Sequence, residues 1–127
     1  MAKVGVAGTT SWGTTLAIFL GREGLDATLW ARTEEEAARL RADGENRRFL
    51  PGAQLPPRVA VTADADEAFQ DAELVIIAVP SRTMRDNARA IRDSIHASAV
   101  VVSATKGLER DSAKRMSQIL VEELPLH

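Results

Sequence analysis

The fold is decided by residues 3–13, whose sequence is KVGVAGTTSWG. The first five form a short, mostly apolar run and predict a β-strand. Gly8 and Gly13 bracket a short polar segment, so we expect a tight turn that leads from this strand directly into a helix. That helix is expected over 11–22, ending at Gly24, with one apolar face. The predicted face consists of Trp12, Leu16, Phe19 and Leu20.

Apolar runs and helix-like stretches alternate through the rest of the chain. Further strands are predicted at 26–31, 59–62, 74–79 and 100–103, and further helices at 33–44, 64–70, 81–95 and 111–124. The run at 74–79 is apolar at every position, which is typical of a strand buried on both faces of a parallel sheet. This alternation predicts an α/β fold with a doubly wound parallel sheet. The proline-rich segment 46–58 does not fit the pattern and is predicted to be a loop.

The turn after the first strand carries most of a known phosphate-binding pattern. Gly8 and Gly13 match the first and third glycines of G-x-G-x-x-G, which binds the pyrophosphate of a dinucleotide between a strand and a helix. Thr10 replaces the second glycine, so its side chain either moves the phosphate outward or points away from it. The hydroxyls of Thr9, Thr10 and Ser11 offer donors, and the helix N-terminus favours an anion. The sequence therefore predicts a Rossmann-like dinucleotide-binding domain, with a tight turn that binds no ligand as the alternative.

The end of the second strand bears on which cofactor would bind. In such domains an acidic residue here contacts the ribose hydroxyls of NAD, whereas an arginine accommodates the 2′-phosphate of NADP. This chain has Arg32 at that place, and no carboxylate precedes Glu34. Glu34 to Glu36 are better placed to stabilise the dipole of the next helix. We therefore predict NADP or NAD, with NADP favoured, and a solvated surface arginine as the alternative.

Two later segments are expected beside the same ligand, because ligands of open α/β sheets lie outside the carboxyl ends of the strands. Pro80 ends the fourth strand and forms either a structural stop or a wall beside the cofactor, and Ser81 is predicted to cap the next helix. Lys106 follows the fifth strand. A cation there can polarise a carbonyl or hold a phosphate, and an exposed surface lysine is the alternative.

Composition narrows the remaining function classes. The chain has 127 residues, no cysteine and a formal net charge of −2, so disulfides and thiolate metal sites are excluded and nothing favours a nucleic-acid partner. No apolar run approaches the ~20 residues of a membrane span. No spacing of His, Asp and Glu suggests a metal site. We expect a cytoplasmic protein.

Several segments together resemble the bacterial NAD(P)-dependent glycerol-3-phosphate dehydrogenases. They are residues 8–17 (GTTSWGTTLA), 29–32 (LWAR), 46–52 (NRRFLPG), 55–56 (LP), 79–81 (VPS) and 105–109 (TKGLE). The resemblance covers nearly the whole chain in the right order. It implies reduction of dihydroxyacetone phosphate to sn-glycerol 3-phosphate, with NADPH or NADH as hydride donor, for phospholipid synthesis. It also implies that Ser11, Trp12 and Arg32 contact the cofactor, and that Lys106 contacts both cofactor and substrate.

The chain departs from a complete enzyme of this family in two respects. The family usually has a glycine where this chain has Thr10, and its second essential lysine, the proton donor, would lie beyond the last residue. Five strands are predicted rather than the six of a full dinucleotide fold. We therefore expect 1–127 to be a partial NAD(P)-binding domain without the helical substrate domain, inactive alone, with a homodimer as one possible state of the full-length protein. The alternatives are a related dehydrogenase of a sugar acid or keto acid, a non-catalytic nucleotide sensor, and a purely structural domain.

Overall fold

The computed structural model describes residues 3–124. The strands in this range are β1 (Lys3–Ala7), β2 (Asp26–Trp30), β3 (Glu45–Asn46), β4 (Leu50–Gln54), β5 (Val59–Thr62), β6 (Leu74–Ile77) and β7 (Val100–Ser103). The helices are α1 (Ser11–Arg22), α2 (Glu34–Asp43), α3 (Ala65–Phe69), α4 (Met84–Ile91) and α5 (Met116–Glu123). Two 3-10 turns, Ser81–Thr83 and Arg92–Ser94, flank α4.

Five of the strands form one parallel sheet in the order β5-β2-β1-β6-β7. The chain starts at β1 in the centre, builds outward through β2 to β5, and then crosses back to β6 and β7 on the other side. The connections after β1 and β6 therefore leave the sheet in opposite directions, which opens a crevice at the carboxyl ends of these two strands. The predicted doubly wound, Rossmann-like α/β fold is confirmed.

Hydrophobic side chains cover both faces of this sheet. In β6, Val75 and Ile77 belong to one buried cluster and Ile76 to the other, because successive strand residues point to opposite faces. The first cluster includes side chains of α3, α4 and α5, and the second includes those of α1 and α2. The prediction that the 74–79 run is buried on both faces is thus confirmed.

Half of the apolar face predicted for helix α1 packs against the core, since Leu16 and Leu20 lie partly buried against the second cluster. The other half does not. Trp12 and Phe19 are 51% and 57% exposed. The helix lies too close to the sheet for large side chains, since a Cβ atom added to Gly21 would come within 2.7 Å of the Val59 side chain. Small residues face the sheet instead, together with one isoleucine, and the buried set is Gly13, Thr14, Ala17, Ile18 and Gly21.

Three local predictions were wrong. The segment 46–58 is not all loop, because β4 pairs antiparallel with β3, and Pro51 is tolerated in this two-stranded edge. The last helix begins at Met116 rather than at 111, since an antiparallel bridge between Leu108 and Arg115 holds the preceding residues in a turn. Ser81 does not cap a helix but starts the 3-10 turn before α4.

The close contact between α1 and the end of β1 yields a stability prediction. A Cβ atom on Gly13 would lie 2.0 Å from the carbonyl oxygen of Gly8, so Gly13→Ala must push the helix away from the sheet. We expect the free energy of unfolding to fall by about 3 kcal/mol, at the upper end of what overpacking costs. Urea denaturation followed by circular dichroism measures it. Arg22→Ala, at the exposed end of the same helix, is the control, and an equal effect of both changes would contradict the argument.

Candidate functional site

An open groove crosses the carboxyl edge of the sheet. One cavity, of about 670 Å³, lies between the start of α1 and the segments after β6 and β7. A second, of about 400 Å³, extends toward the end of β2 and α4. The two cavities share Thr10, Val79 and Pro80. They therefore form one continuous groove.

The predicted site residues are distributed along this groove. Trp12 and Lys106 line the first cavity, and Gly8, Thr9 and Arg32 line the second. Thr10 and Pro80 line both. Gly13 is buried beneath the turn, and Ser11 lies exposed at the first position of α1 without lining either cavity. The structure thus brings together seven of the nine residues singled out in the sequence, with Gly13 supporting them from below.

The glycine turn places the start of α1 at the middle of the groove. Gly8 has a φ of 132°, and a Cβ atom there would lie 2.2 Å from the carbonyl oxygen of Ala78, so only glycine fits between the ends of β1 and β6. Thr10 is the residue before the helix, and its side chain makes no capping hydrogen bond. The first backbone N–H groups of a helix have no intrahelical partner. This end of α1 therefore offers donors to an anion in the groove.

One hydroxyl that the sequence suggested as a phosphate donor is already engaged. The Thr9 Oγ1 atom donates to Glu36 Oε1 at 2.9 Å. This hydrogen bond ties the turn to α2 and takes the Thr9 proton away from the groove. The backbone of the turn, rather than the Thr9 side chain, is what remains available to a phosphate.

Asn46 is a structural support of the turn that sequence reasoning missed. Its side chain is only 3% exposed. The Nδ2 atom donates to the Thr9 carbonyl oxygen at 2.6 Å and to Thr14 Oγ1 at 2.9 Å, while Oδ1 accepts from the Phe49 N–H at 3.2 Å. One amide thus joins the turn, α1 and the β3–β4 hairpin. Nothing in the sequence marks this asparagine as buried, because its burial depends on a hairpin that was predicted to be a loop.

Arg32 reaches across the second cavity from the end of β2 to α4. Its Nη1 atom donates to Asn87 Oδ1 at 2.9 Å. Asn87 was also missed in the sequence, where it is one polar residue in an ordinary amphipathic helix. Its side chain is buried and bonded to the 3-10 turn that precedes α4.

The loop that carries Lys106 is held on both sides of the lysine. On one side, Thr105 Oγ1 donates to the Val79 carbonyl oxygen at 2.8 Å. On the other, the Arg85 guanidinium binds Glu109 through two hydrogen bonds, Nε to Oε2 at 2.8 Å and Nη2 to Oε1 at 2.9 Å. Lys106 itself is exposed at the mouth of the first cavity. Its ammonium group is therefore free to meet a ligand while its backbone is fixed.

The contacts between Arg85 and Glu109 favour the ionised form of both side chains. Hydrogen bonds from Arg85 and from Ser112 lower the pKa of Glu109 from 4.5 to about 2. The same carboxylate raises the pKa of Arg85. Lys114 lowers the pKa of the neighbouring Glu122, which lies 3.6 Å from Arg85. The anchor therefore stays charged throughout the physiological pH range.

Residues 3–124 contain neither a candidate metal-ion site nor a candidate membrane span. No group of three or more His, Cys, Asp or Glu side chains there has a geometry that could hold a metal ion. None of the helices in this range has the length and apolar character needed to cross a membrane.

A parallel sheet with a glycine turn and a helix N-terminus at its switch point defines the class of a dinucleotide-binding α/β domain. Residues 3–127 match the family model described as NAD-dependent glycerol-3-phosphate dehydrogenase N-terminus. The chain belongs to this family.

Individual relatives agree with this assignment. Glycerol-3-phosphate dehydrogenase [NAD(P)+] of Desulfitobacterium hafniense is 43% identical over 127 residues, which are 100% of this chain and 36% of that protein. The enzyme of the same name from Moorella thermoacetica is 44% identical over 121 residues, 95% of this chain and 36% of that protein. The crystal structure of glycerol-3-phosphate dehydrogenase from Coxiella burnetii superimposes with a TM-score of 0.89 at 27% identity, covering 97% of this chain and 38% of the other. The chain thus spans little more than a third of the length of these relatives.

The support that Asn46 gives to the turn can be tested by two substitutions. Asn46→Ala leaves the Thr9 carbonyl and the buried Thr14 hydroxyl without their partner, so we expect the free energy of unfolding to fall by about 2 kcal/mol. Asn46→Asp keeps the volume but sets a carboxylate oxygen against the Thr9 carbonyl, and we expect it to be no better tolerated. Urea denaturation checks both, with Gln54→Ala at the exposed end of the hairpin as control. Full stability of the aspartate variant would contradict the hydrogen-bonding role.

The Arg85–Glu109 pair predicts a specific dependence of stability on pH. Since the pKa of Glu109 is lowered from 4.5 to about 2 by folding, the pair stabilises the fold fully above about pH 4.5 and loses this effect as the pH falls toward 2. The stability difference between the unaltered chain and Glu109→Gln should therefore shrink over that interval. Urea denaturation at a series of pH values measures it, with Glu73→Gln, an exposed carboxylate elsewhere, as control. A difference that does not change with pH would refute the role of the pair.

Proposed function

We propose that this chain is the cofactor-binding part of an NAD(P)-dependent glycerol-3-phosphate dehydrogenase. Its relatives are named glycerol-3-phosphate dehydrogenase [NAD(P)+], and in this proposal the complete protein reduces dihydroxyacetone phosphate to sn-glycerol 3-phosphate for phospholipid synthesis. The observation that carries the proposal is the single groove that joins Arg32, the start of α1 and Lys106 along the carboxyl edge of the sheet. A dinucleotide has an adenosine end, a pyrophosphate and a nicotinamide end, and the groove offers a different chemistry for each.

Each part of the groove has a role in this proposal. Arg32 binds the adenosine end, and its guanidinium favours the 2′-phosphate of NADP over NAD. The backbone N–H groups at the start of α1 bind the pyrophosphate. Trp12 and Pro80 line the part of the groove that holds the nicotinamide. The bound reduced nicotinamide supplies the hydride. Lys106 contacts both the cofactor and the substrate, and its ammonium group stabilises the developing alkoxide or the substrate phosphate.

The proposal assigns residues 1–127 to a partial NAD(P)-binding domain. The helical substrate domain and the proton-donating lysine would belong to the remainder of a longer protein, since the relatives are almost three times as long as the segment matched. For that protein we keep the predictions of a homodimer and a cytoplasmic location. The chain alone is expected to bind a dinucleotide without reducing dihydroxyacetone phosphate.

Calorimetric titration of the 127-residue chain with NADPH and with NADH tests the proposal. We expect NADPH to bind at least tenfold more tightly, a difference of about 1.4 kcal/mol. Arg32→Ala should remove most of this preference, because it removes the cation from the adenosine end. Arg22→Ala removes an equal charge at the far end of α1 and should leave both affinities unchanged.

Three outcomes would weigh against the proposal. Failure of the folded chain to bind either dinucleotide would refute cofactor binding in this groove. Equal affinities for NADPH and NADH would refute the NADP preference alone. Lys106→Ala distinguishes an enzyme from a nucleotide sensor, since a sensor needs no cation at the nicotinamide end. An unchanged cofactor affinity in this variant would favour the sensor.

A further inference from the structure

The contact between Arg32 and Asn87 joins two elements that are distant in sequence. Arg32 follows β2 and Asn87 lies in the middle of α4, yet the guanidinium and the amide oxygen are 2.9 Å apart. Both residues line the second cavity. Arg32 is exposed, whereas the side chain of Asn87 is 4% exposed. A long, mobile cation is therefore fixed by a short, buried amide at the adenosine end of the groove.

The orientation of the Asn87 amide follows from its other contacts. Its Nδ2 atom donates to the Thr83 carbonyl oxygen at 2.9 Å and to Thr83 Oγ1 at 3.0 Å. An amide turned the other way would set Oδ1 against the carbonyl oxygen and Nδ2 against a guanidinium, which has only donors. The 3-10 turn before α4 thus forces Oδ1 toward Arg32.

The amide group of Asn87, which anchors Arg32, carries no charge. A guanidinium carries five N–H donors, and Asn87 accepts from one of them without cancelling any of its charge. Among residues 3–124, Arg32 forms no ion pair with a carboxylate. Asp86 lines the same cavity, but it is not a salt-bridge partner of Arg32. The remaining donors and the full positive charge are available to an anion.

We propose that Asn87 is the specificity-determining partner of Arg32: it holds the guanidinium in place through a neutral hydrogen bond, so that Arg32 can bind a 2′-phosphate with its whole charge. This inference rests on the proposed function, because it concerns the cofactor preference of the same groove. Asn87 is a positioning residue, since it acts on the ligand through Arg32. A carboxylate at position 87 would still accept a hydrogen bond from Arg32, but it would neutralise the guanidinium and would lose the two donations to Thr83.

Calorimetric titration of the 127-residue chain with NADPH and NADH tests the proposal through Asn87→Asp. We expect the preference for NADPH to fall at least tenfold while the affinity for NADH changes less than threefold. Gln70→Glu adds an equal negative charge on an exposed residue after α3, away from the groove, and is the control. In an Arg32→Ala background, Asn87→Asp should have no further effect on the preference, because its action passes through Arg32.

A second variant covers the case in which aspartate at the buried position 87 unfolds the chain. Arg32→Lys changes only an exposed residue and keeps the positive charge. However, the lysine ammonium group lacks the planar, rigid set of N–H donors with which a guanidinium can bind the Asn87 amide and a phosphate at the same time. We expect it to lose most of the NADPH preference. A preference retained in Arg32→Lys, or unchanged in a folded Asn87→Asp variant, would overturn the inference. Absence of any NADPH preference in the unaltered chain would instead refute the NADP part of the proposed function, so the two failures are distinguishable.

Discussion

The close approach of α1 to the ends of β1 and β6 is the constraint on which the rest of the structure depends. Gly8 and Gly13 have no Cβ atom, and a Cβ at either position would overlap a backbone carbonyl group. Their contact sets both where α1 begins and how near it lies to the sheet. The nearness explains why α1 buries mainly small residues and leaves Trp12 at the groove. The starting point explains why a helix N-terminus, whose N–H groups favour an anion, lies at the switch point of the sheet.

Polar side chains hold in place the turn, Arg32 and the Lys106 loop, which the two glycines alone do not fix. Asn46 holds the turn, Asn87 holds Arg32, and Arg85 holds the Lys106 loop through Glu109. In each case a strand end supplies the functional group and a different element supplies its anchor. Because each anchor is at least partly shielded from water, its hydrogen bonds hold the groove in one shape. A preformed groove loses less conformational freedom when a ligand binds.

The sequence predicts the sheet well and the supports of the site poorly, for a physical reason. Strands such as β6 and the turn at Gly8 leave local signals, namely an unbroken apolar run and glycines at fixed spacing. The buried face of α1 depends instead on how close the helix lies to the sheet. The β3–β4 hairpin depends on pairing between two strands that form despite the prolines in this segment. In a sequence, a buried asparagine such as Asn46 cannot be distinguished from one on the surface. Its role becomes visible only once its tertiary partners are known.

Fold and cofactor groove do not by themselves select a reaction, because many dehydrogenases and sensors share this architecture. What distinguishes a reaction site in this chain is the cation placed at the far end from Arg32. Lys106 has its backbone fixed by Thr105 on one side and by the Arg85–Glu109 pair on the other, while its ammonium group stays exposed. An adventitious surface lysine needs no such double anchor. The anchoring of an exposed cation beside the proposed nicotinamide end is therefore the structural feature that argues for chemistry rather than for nucleotide binding alone.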